Sequence, residues 1–383
     1  MKDLILDSKL PDIGTSIFAR MSKLANEYNA INLSQGFPDF NCSEELINLV
    51  DFYMKKGENQ YAPMPGTERL RKQISLKVKR DFGREYNFNN EITITAGATQ
   101  ALFTAFSAII NPGDEVILFE PAYDSYLPAI KINGGIPIGI QMNKQDFSIP
   151  WEKVRETINS KTKCIVFNSP HNPTGSVLNE SDIAELIDIV KDTDILLISD
   201  EVYEHIIFDG KKHLSFAKYD QLAKRSFVIS SFGKTLHTTG WKIGYCCAPS
   251  YLTKEFRKVH QFIVFAVNTP IQLAIADFID NPQNIYSLNN FYQAKRDLFI
   301  SLMKGSKFIL KNCHGTYFQL LDYSRISDKS DLEFCEYLTK EIGVATIPLS
   351  PFYLEGSEEK LIRVCFAKQD EVIEKAARIL CNV

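Results

Sequence analysis

Short apolar runs alternate with amphipathic stretches from about residue 43 to about residue 280. The runs Ile92–Thr95, Glu115–Phe119, Cys164–Asn168, Ile195–Asp200, Phe227–Ser230 and Ile243–Ala248 have the length and β-branched content of strands. Gly66–Asp81, Ala98–Ile110, Glu180–Lys191 and Tyr251–Phe265 carry apolar residues at helical spacing. Strands alternating with helices predict an α/β body with a mostly parallel sheet covered on both faces. After about residue 281 the pattern changes. A long helix near Leu288–Leu302 is followed by Gly315–Asp322, a helix Leu332–Glu341, a strand Leu361–Ala367 and a final helix, which predicts a smaller α+β domain. Before residue 43, Ile17, Met21, Leu24 and Tyr28 mark a helix, and Leu33–Phe40 reads as an extended turn. The predicted division is a segment 1–42 that packs with the small domain, a large domain over 43–280 and a small domain over 281–383.

Composition narrows the function. The chain has 383 residues, 45% hydrophobic, and a formal net charge of −4. With no long basic run, nucleic acid is not an expected partner. The first residues lack the apolar core of a signal peptide, and no apolar run approaches a membrane span, so a cytoplasmic, membrane-free protein is expected. The eight cysteines form no C-x-x-C pair and read as buried free thiols, and the six histidines show no zinc spacing, so no metal is expected.

Candidate chemistry centres on Ser231-Phe232-Gly233-Lys234-Thr235, a small-residue turn after the apolar run Phe227-Val228-Ile229. Lysine attacks carbonyls once deprotonated, and burial beside other cations such as Lys242 lowers its pKa. That suits an imine with an aldehyde cofactor. A P-loop is excluded because Val228 stands where its first glycine belongs. Ser231-x-x-Lys234 also fits a penicillin-binding motif, but the S-D-N and K-T-G strings that accompany it are absent. Asp200 ends a strand, where α/β sheets gather ligand contacts. It reads either as a helix cap or as a carboxylate facing a pyridine nitrogen. Tyr203 and Asn172 reach a common phenolate oxygen in that second reading. Thr95–Gln100 links a strand to a helix, with Ala98 and Thr99 at an N-terminus open to phosphate. Tyr123 follows the next strand as a ring-stacking candidate. Arg363 interrupts an apolar strand, and either a substrate carboxylate or a structural Asp or Glu would satisfy it.

In order, Asn32-Leu33-Ser34-Gln35-Gly36-Phe37-Pro38-Asp39-Phe40, Asn59-Gln60-Tyr61-Ala62-Pro63, Asn172-Pro173-Thr174-Gly175, Ser199-Asp200-Glu201-Val202-Tyr203, Ser231–Thr235 and Gly240-Trp241-Lys242-Ile243-Gly244 resemble the class I, fold type I aminotransferases that use pyridoxal 5′-phosphate. The likeness continues through Ile347–Ser350 and Ile362–Lys368 and spans nearly the whole chain. It is strongest to the branch of methionine and kynurenine aminotransferases. The resemblance implies a large domain with a seven-stranded, mostly parallel sheet and a smaller α+β domain. It implies that Lys234 binds the cofactor aldehyde and moves protons, that Asp200 pairs with the pyridinium, and that Tyr203 and Asn172 bond the ring oxygen. Tyr123 would stack on the ring, and Ala98, Thr99, Ser231 and Lys242 would hold the phosphate. Tyr61 would reach the phosphate of a neighbouring subunit, making the enzyme a homodimer with shared sites. Arg363, Asn172 and the Gly36 backbone would hold the substrate carboxylate.

Two departures stand out. Lys242 replaces the arginine of many relatives, and Ala98 and Thr99 stand where some kynurenine aminotransferases carry glycine and an aromatic residue. The expected reaction moves an α-amino group from methionine or an aromatic amino acid to a 2-oxo acid, with Phe18, Tyr61 and Phe265 at the side-chain end. Kynurenine–2-oxoglutarate transfer and β-elimination from cysteine conjugates are the alternatives. A transcription regulator built on the same domain needs an added DNA-binding domain, for which the stretch before Gly36 is too short.

Overall fold

A computed structural model describes residues 7–383. Among these residues thirteen strands occur. In chain order they are β1 Ile31–Asn32, β2 Ile92–Thr95, β3 Glu115–Glu120, β4 Ile136–Gln141, β5 Thr162–Asn168, β6 Leu196–Asp200, β7 Ser226–Ser231, β8 Gly244–Cys247, β9 Ile309–Leu310, β10 Phe318–Asp322, β11 Val344–Ala345, β12 Ile347–Pro348 and β13 Leu361–Cys365.

Seven of them form the main sheet in the order β2-β8-β7-β6-β5-β3-β4. All run parallel except β8, which is antiparallel to both neighbours. Strands β2, β7 and β8 are buried throughout, as a sheet covered on both faces requires. The direction of β8 has a consequence for the site. Its first residue, Gly244, pairs with the last residues of β2 and β7, Thr95 and Ser231. One edge of the sheet therefore collects Thr95, Glu120, Asn168, Asp200 and Ser231 together with Gly244.

Strand β4 is not among the runs marked by the apolar pattern. Its sequence, Ile136-Pro137-Ile138-Gly139-Ile140-Gln141, contains proline and glycine, which argue against a central strand. It lies at the sheet edge beside β3, with Pro137 opposite Val116, where a missing N–H costs little.

Beyond the main sheet, β12-β13-β10-β9 form an antiparallel sheet. The helix expected over Leu332–Glu341 is Asp331–Tyr337, extended by a wider turn, Leu338–Ile342. At the other end of the chain, helix Ile17–Glu27 is capped by Ser16, whose hydroxyl accepts from the Ala19 N–H at 3.3 Å. Strand β1 then pairs with β11 in parallel. The Cys365 N–H donates to Leu33 O at 2.9 Å, which ties the segment before Gly36 to β13. Among the described residues no helix is long and apolar enough to cross a membrane.

Candidate active site

A cavity of about 300 Å³ opens at the carboxyl edge of the main sheet. Twelve of the residues singled out from sequence line it: Phe18, Gly36, Ala98, Thr99, Tyr123, Asn172, Asp200, Tyr203, Ser231, Lys234, Lys242 and Arg363. They come from segments up to 345 residues apart. Tyr61 and Phe265 do not line the cavity of their own chain. Their rings meet edge to face at 5.3 Å on the surface, where Tyr61 is 83% exposed.

Lys234 sits on the single helical turn Phe232–Thr235 that follows β7. Its Nζ donates to Tyr317 Oη at 2.9 Å and to Gly36 O at 3.3 Å. Burial pulls its pKa down to about 8. Arg363 and Lys242 push the same way, while Cys365 and Asp200 oppose. Asp200, at the end of β6, is likewise buried. Its Oδ2 accepts from Tyr126 Oη at 2.6 Å and its Oδ1 from the Val202 N–H at 3.3 Å. Burial lifts its pKa to about 6 against the pull of those two donors and of Lys234. No helix begins at Asp200, so it caps none: its Oδ1 holds the turn that follows β6 and its Oδ2 meets a tyrosine.

Helix Gly97–Ile109 begins at the cavity wall, and its cap residue Ala96 offers no side chain to the first N–H groups. The Lys242 ammonium lies over that end: a Cβ on Gly97 would stand 3.2 Å from Lys242 Nζ. Free N–H groups, the helix dipole, Ser231 and a lysine together make an anion cradle. Lys242 itself adopts φ 56°, so its side chain turns back toward the cradle from the start of β8.

Arg363 projects from β13 and is 1% exposed. Its Nη1 donates to Asn172 Oδ1 at 2.7 Å and its Nη2 to Ser34 O at 3.2 Å, while Nε has no partner. The guanidinium lies 3.8 Å from the Phe318 ring centre, with Phe18 and Phe352 at 5.2 and 5.4 Å. Among the described residues no Asp or Glu oxygen comes within 4.0 Å of it. No carboxylate is in contact with it. Asp124 acts on the charge from beyond that distance, and burial lowers the Arg363 pKa against that pull. Tyr123 and Tyr203 are pushed up by burial, Tyr123 to about 12.

The sequence profile of the family described as Aminotransferase class I and II matches residues 28–380. The chain belongs to this family. A methionine aminotransferase of Escherichia coli is 46% identical over 378 residues, 98% of each chain. A kynurenine–oxoglutarate transaminase of Dictyostelium discoideum is 36% identical, covering 95% of this chain and 93% of its own. Among solved structures, the Escherichia coli methionine aminotransferase YbdL superposes over 100% of both chains with a TM-score of 0.97 at 45% identity. The N-succinyldiaminopimelate aminotransferase of Mycobacterium tuberculosis superposes with a TM-score of 0.95 at 34% identity, over 99% of this chain and 100% of its own. The main sheet and the α/β class are those of fold type I aminotransferases.

The cavity of this aminotransferase fits an aldehyde cofactor with a cationic ring and a phosphate. It holds a half-buried amine of lowered pKa, a buried carboxylate lacking a cation in contact, and an anion cradle. Several contributors escaped the sequence reading, among them Phe318, whose ring faces Arg363. Tyr126 meets Asp200 across 74 residues, and Tyr317 meets Lys234 across 83. Asn168 donates from Nδ2 to Asp200 O and accepts the Asn172 N–H. Only the spacing Tyr123-x-x-Tyr126, which turns both rings inward after β3, carried a signal.

Proposed function

We propose that this aminotransferase moves the α-amino group of methionine and of aromatic amino acids to a 2-oxo acid, with pyridoxal 5′-phosphate as cofactor. The observation that carries the reading is one cavity holding half-buried Lys234, buried Asp200 and buried Arg363 with no carboxylate in contact. When bound, the cofactor supplies an aldehyde for the amine and a ring that accepts electrons from the substrate Cα. Lys234 Nζ, partly neutral near pH 7, would take the proton from the substrate Cα and deliver it to the carbon that was the cofactor's aldehyde. Asp200 holds positive charge at the ring nitrogen. Asn172 presents Oδ1 to Arg363, which leaves its N–H groups for the ring oxygen beside Tyr203. Ala98, Thr99, Ser231 and Lys242 hold the phosphate, and Tyr123 covers the ring. Arg363 clamps the substrate carboxylate through the nitrogens that face the cavity.

Charge counting supports the donor class. The cavity's cations are Lys234, Lys242 and Arg363, and each already has a task. A side-chain carboxylate would meet no further cation, while Phe18 and Phe318 offer apolar contact that suits a thioether or a ring. The similarity to the Escherichia coli methionine aminotransferase favours the same choice. Kynurenine transfer is the second reading, favoured by the Dictyostelium relative.

The same reading makes the enzyme a homodimer in which Tyr61 and Phe265 enter the partner's cavity. It divides the chain into a segment 1–42, a large cofactor domain 43–280 and a small domain 281–383. Eight free cysteines suit the reducing cytoplasm. A panel of amino donors against several 2-oxo acids tests the proposal by kcat/KM. Methionine, phenylalanine and tyrosine should exceed aspartate by about 10-fold or more, the scale of apolar pocket discrimination. Aspartate in first place would overturn the donor assignment, and kynurenine in first place would select the second reading.

A further inference from the structure

Behind the cavity floor lies an ion pair that touches nothing in the cavity. Lys77, on helix Glu68–Phe82, donates from Nζ to Glu204 Oε2 at 2.6 Å, and both side chains are 3% exposed. The other carboxylate oxygen, Glu204 Oε1, accepts from Ser230 Oγ at 2.6 Å and from Tyr245 Oη at 3.0 Å. Ser230 and Tyr245 stand opposite each other on β7 and β8. Asp81 Oδ2 lies 3.3 Å from Lys77 Nζ, and His205 Nε2 lies 3.7 Å from Glu204 Oε2 without a hydrogen-bond partner.

The chain positions of these contacts matter more than their number. Glu204 follows Tyr203 directly, on the segment that leaves β6 with Asp200. Ser230 precedes Ser231 and the turn that presents Lys234. Tyr245 follows Gly244, at the strand end that Lys242 leads into. One carboxylate thus joins the three segments that deliver Asp200 and Tyr203, Ser231 and Lys234, and Lys242. Stability alone explains it poorly. A buried ion pair loses so much hydration that apolar replacements are often as stable or more so. Geometry is the better explanation, since three donors converging on one buried carboxylate fix three strand ends relative to each other.

We propose that Glu204 is a positioning residue for aminotransfer, which holds Lys234 against Asp200 and Tyr203 through the hydroxyls of Ser230 and Tyr245. Lys77 supplies the counter-charge that lets the carboxylate stay buried. The proposal rests on the reading of the cavity as a pyridoxal-phosphate site. A misplacement of about 1 Å at reacting groups can cost on the order of 100-fold in rate.

The full-length protein loaded with pyridoxal 5′-phosphate provides the test. The variant Ser230→Ala/Tyr245→Phe keeps the ion pair and cuts its ties to β7 and β8. The variant Lys77→Met/Glu204→Gln removes the charges and keeps a carbonyl oxygen for both hydroxyls. Readouts are kcat and KM with methionine, the pH midpoint of the visible absorption band, and the melting temperature. We expect the first variant to lose about 10-fold or more in kcat with KM within about threefold, and to shift the midpoint by about half a pH unit or more. The second should keep kcat within about threefold and the native midpoint. Native kcat and midpoint in the first variant, whatever its melting temperature, would reduce the network to packing and overturn the proposal. An equal loss in both variants would overturn it too, because the hydroxyl ties would then not be the deciding contacts. Should the first variant fail to fold, Ser230→Ala and Tyr245→Phe are read singly, and native values in both overturn it. Failure of the site reading looks different: the unmutated protein would develop no visible band and transfer no amino group.

Discussion

The reactivity we propose for Lys234 comes from its surroundings. With a pKa near 8, roughly a tenth of the amine is neutral at pH 7, against well under one in a thousand for an ordinary lysine. The neutral form is the nucleophile, so its fraction rises as pH rises and saturates above the pKa. Mixing apo-protein with pyridoxal 5′-phosphate should therefore give a visible band at a rate that climbs from pH 6 and flattens above about pH 8. A rate still climbing at pH 10 would mean an ordinary lysine. Borohydride reduction and peptide mapping should place the label on Lys234, and Lys234→Ala should lose it. In our proposal Asp200 works by charge. Asp200→Asn keeps an oxygen for Tyr126 but cannot hold a proton on the ring nitrogen. We expect stopped-flow Cα proton removal to slow on the order of 100- to 1,000-fold, the scale for losing a preorganised electrostatic partner, with the fold intact by circular dichroism. A near-native rate would leave Asp200 a purely structural role at the end of β6.

At the scale of elements, the site exists because strand ends and one helix start are packed without slack. Gly244 shows how tightly. A Cβ there would lie 2.8 Å from Ser230 O and 2.9 Å from both Ala98 N and the Gly97 carbonyl carbon. Those are backbone atoms of β7 and of the helix that forms the anion cradle, so neither side yields as a flexible side chain would. Gly244→Ala should push helix Gly97–Ile109 off the phosphate site. Overpacking of this kind costs about 1–3 kcal/mol. We expect cofactor affinity, read by fluorescence titration of the apo-protein, to fall about 10-fold or more. Unchanged affinity would mean that the cradle does not depend on this approach.

On the scale of the whole molecule, the surface carries apolar residues that a single chain leaves in water. Tyr61 and Phe262 are 83% and 87% exposed, and Phe265 is half exposed. Patches of this kind mark interfaces. Our reading gives this face to a second copy, with Tyr61 completing the partner's phosphate site. Subunits carrying Tyr61→Ala mixed with subunits carrying Lys234→Ala should then regain activity. Random pairing leaves one native site in each mixed dimer, so the ceiling is about a quarter of native activity. Mixed dimers that form, as shown by tagged subunits, yet stay inactive would show that each cavity is built from one chain.

The sequence by itself determined the elements whose signals are local. Periodicity marked β2, β3 and β5–β8 because strands covered on both faces are continuous apolar runs, and the turn Ser231–Thr235 marked its lysine by its small residues after an apolar run. Strand β4 was hidden by Pro137 and Gly139, which only an edge position tolerates, and edge position is a property of the assembled sheet. The sequence left Asp200 between cap and cofactor partner, and Arg363 between a substrate and a structural carboxylate. Only the tertiary structure supplied the burial and the nearest partners on which our proposal for both rests, because these are set by segments far away in the chain. Tyr126, Tyr317, Asn168 and the Glu204 network belong to the same class. Their hydrogen bonds close only after the strands have paired, and no spacing along the chain encodes a distance across a sheet.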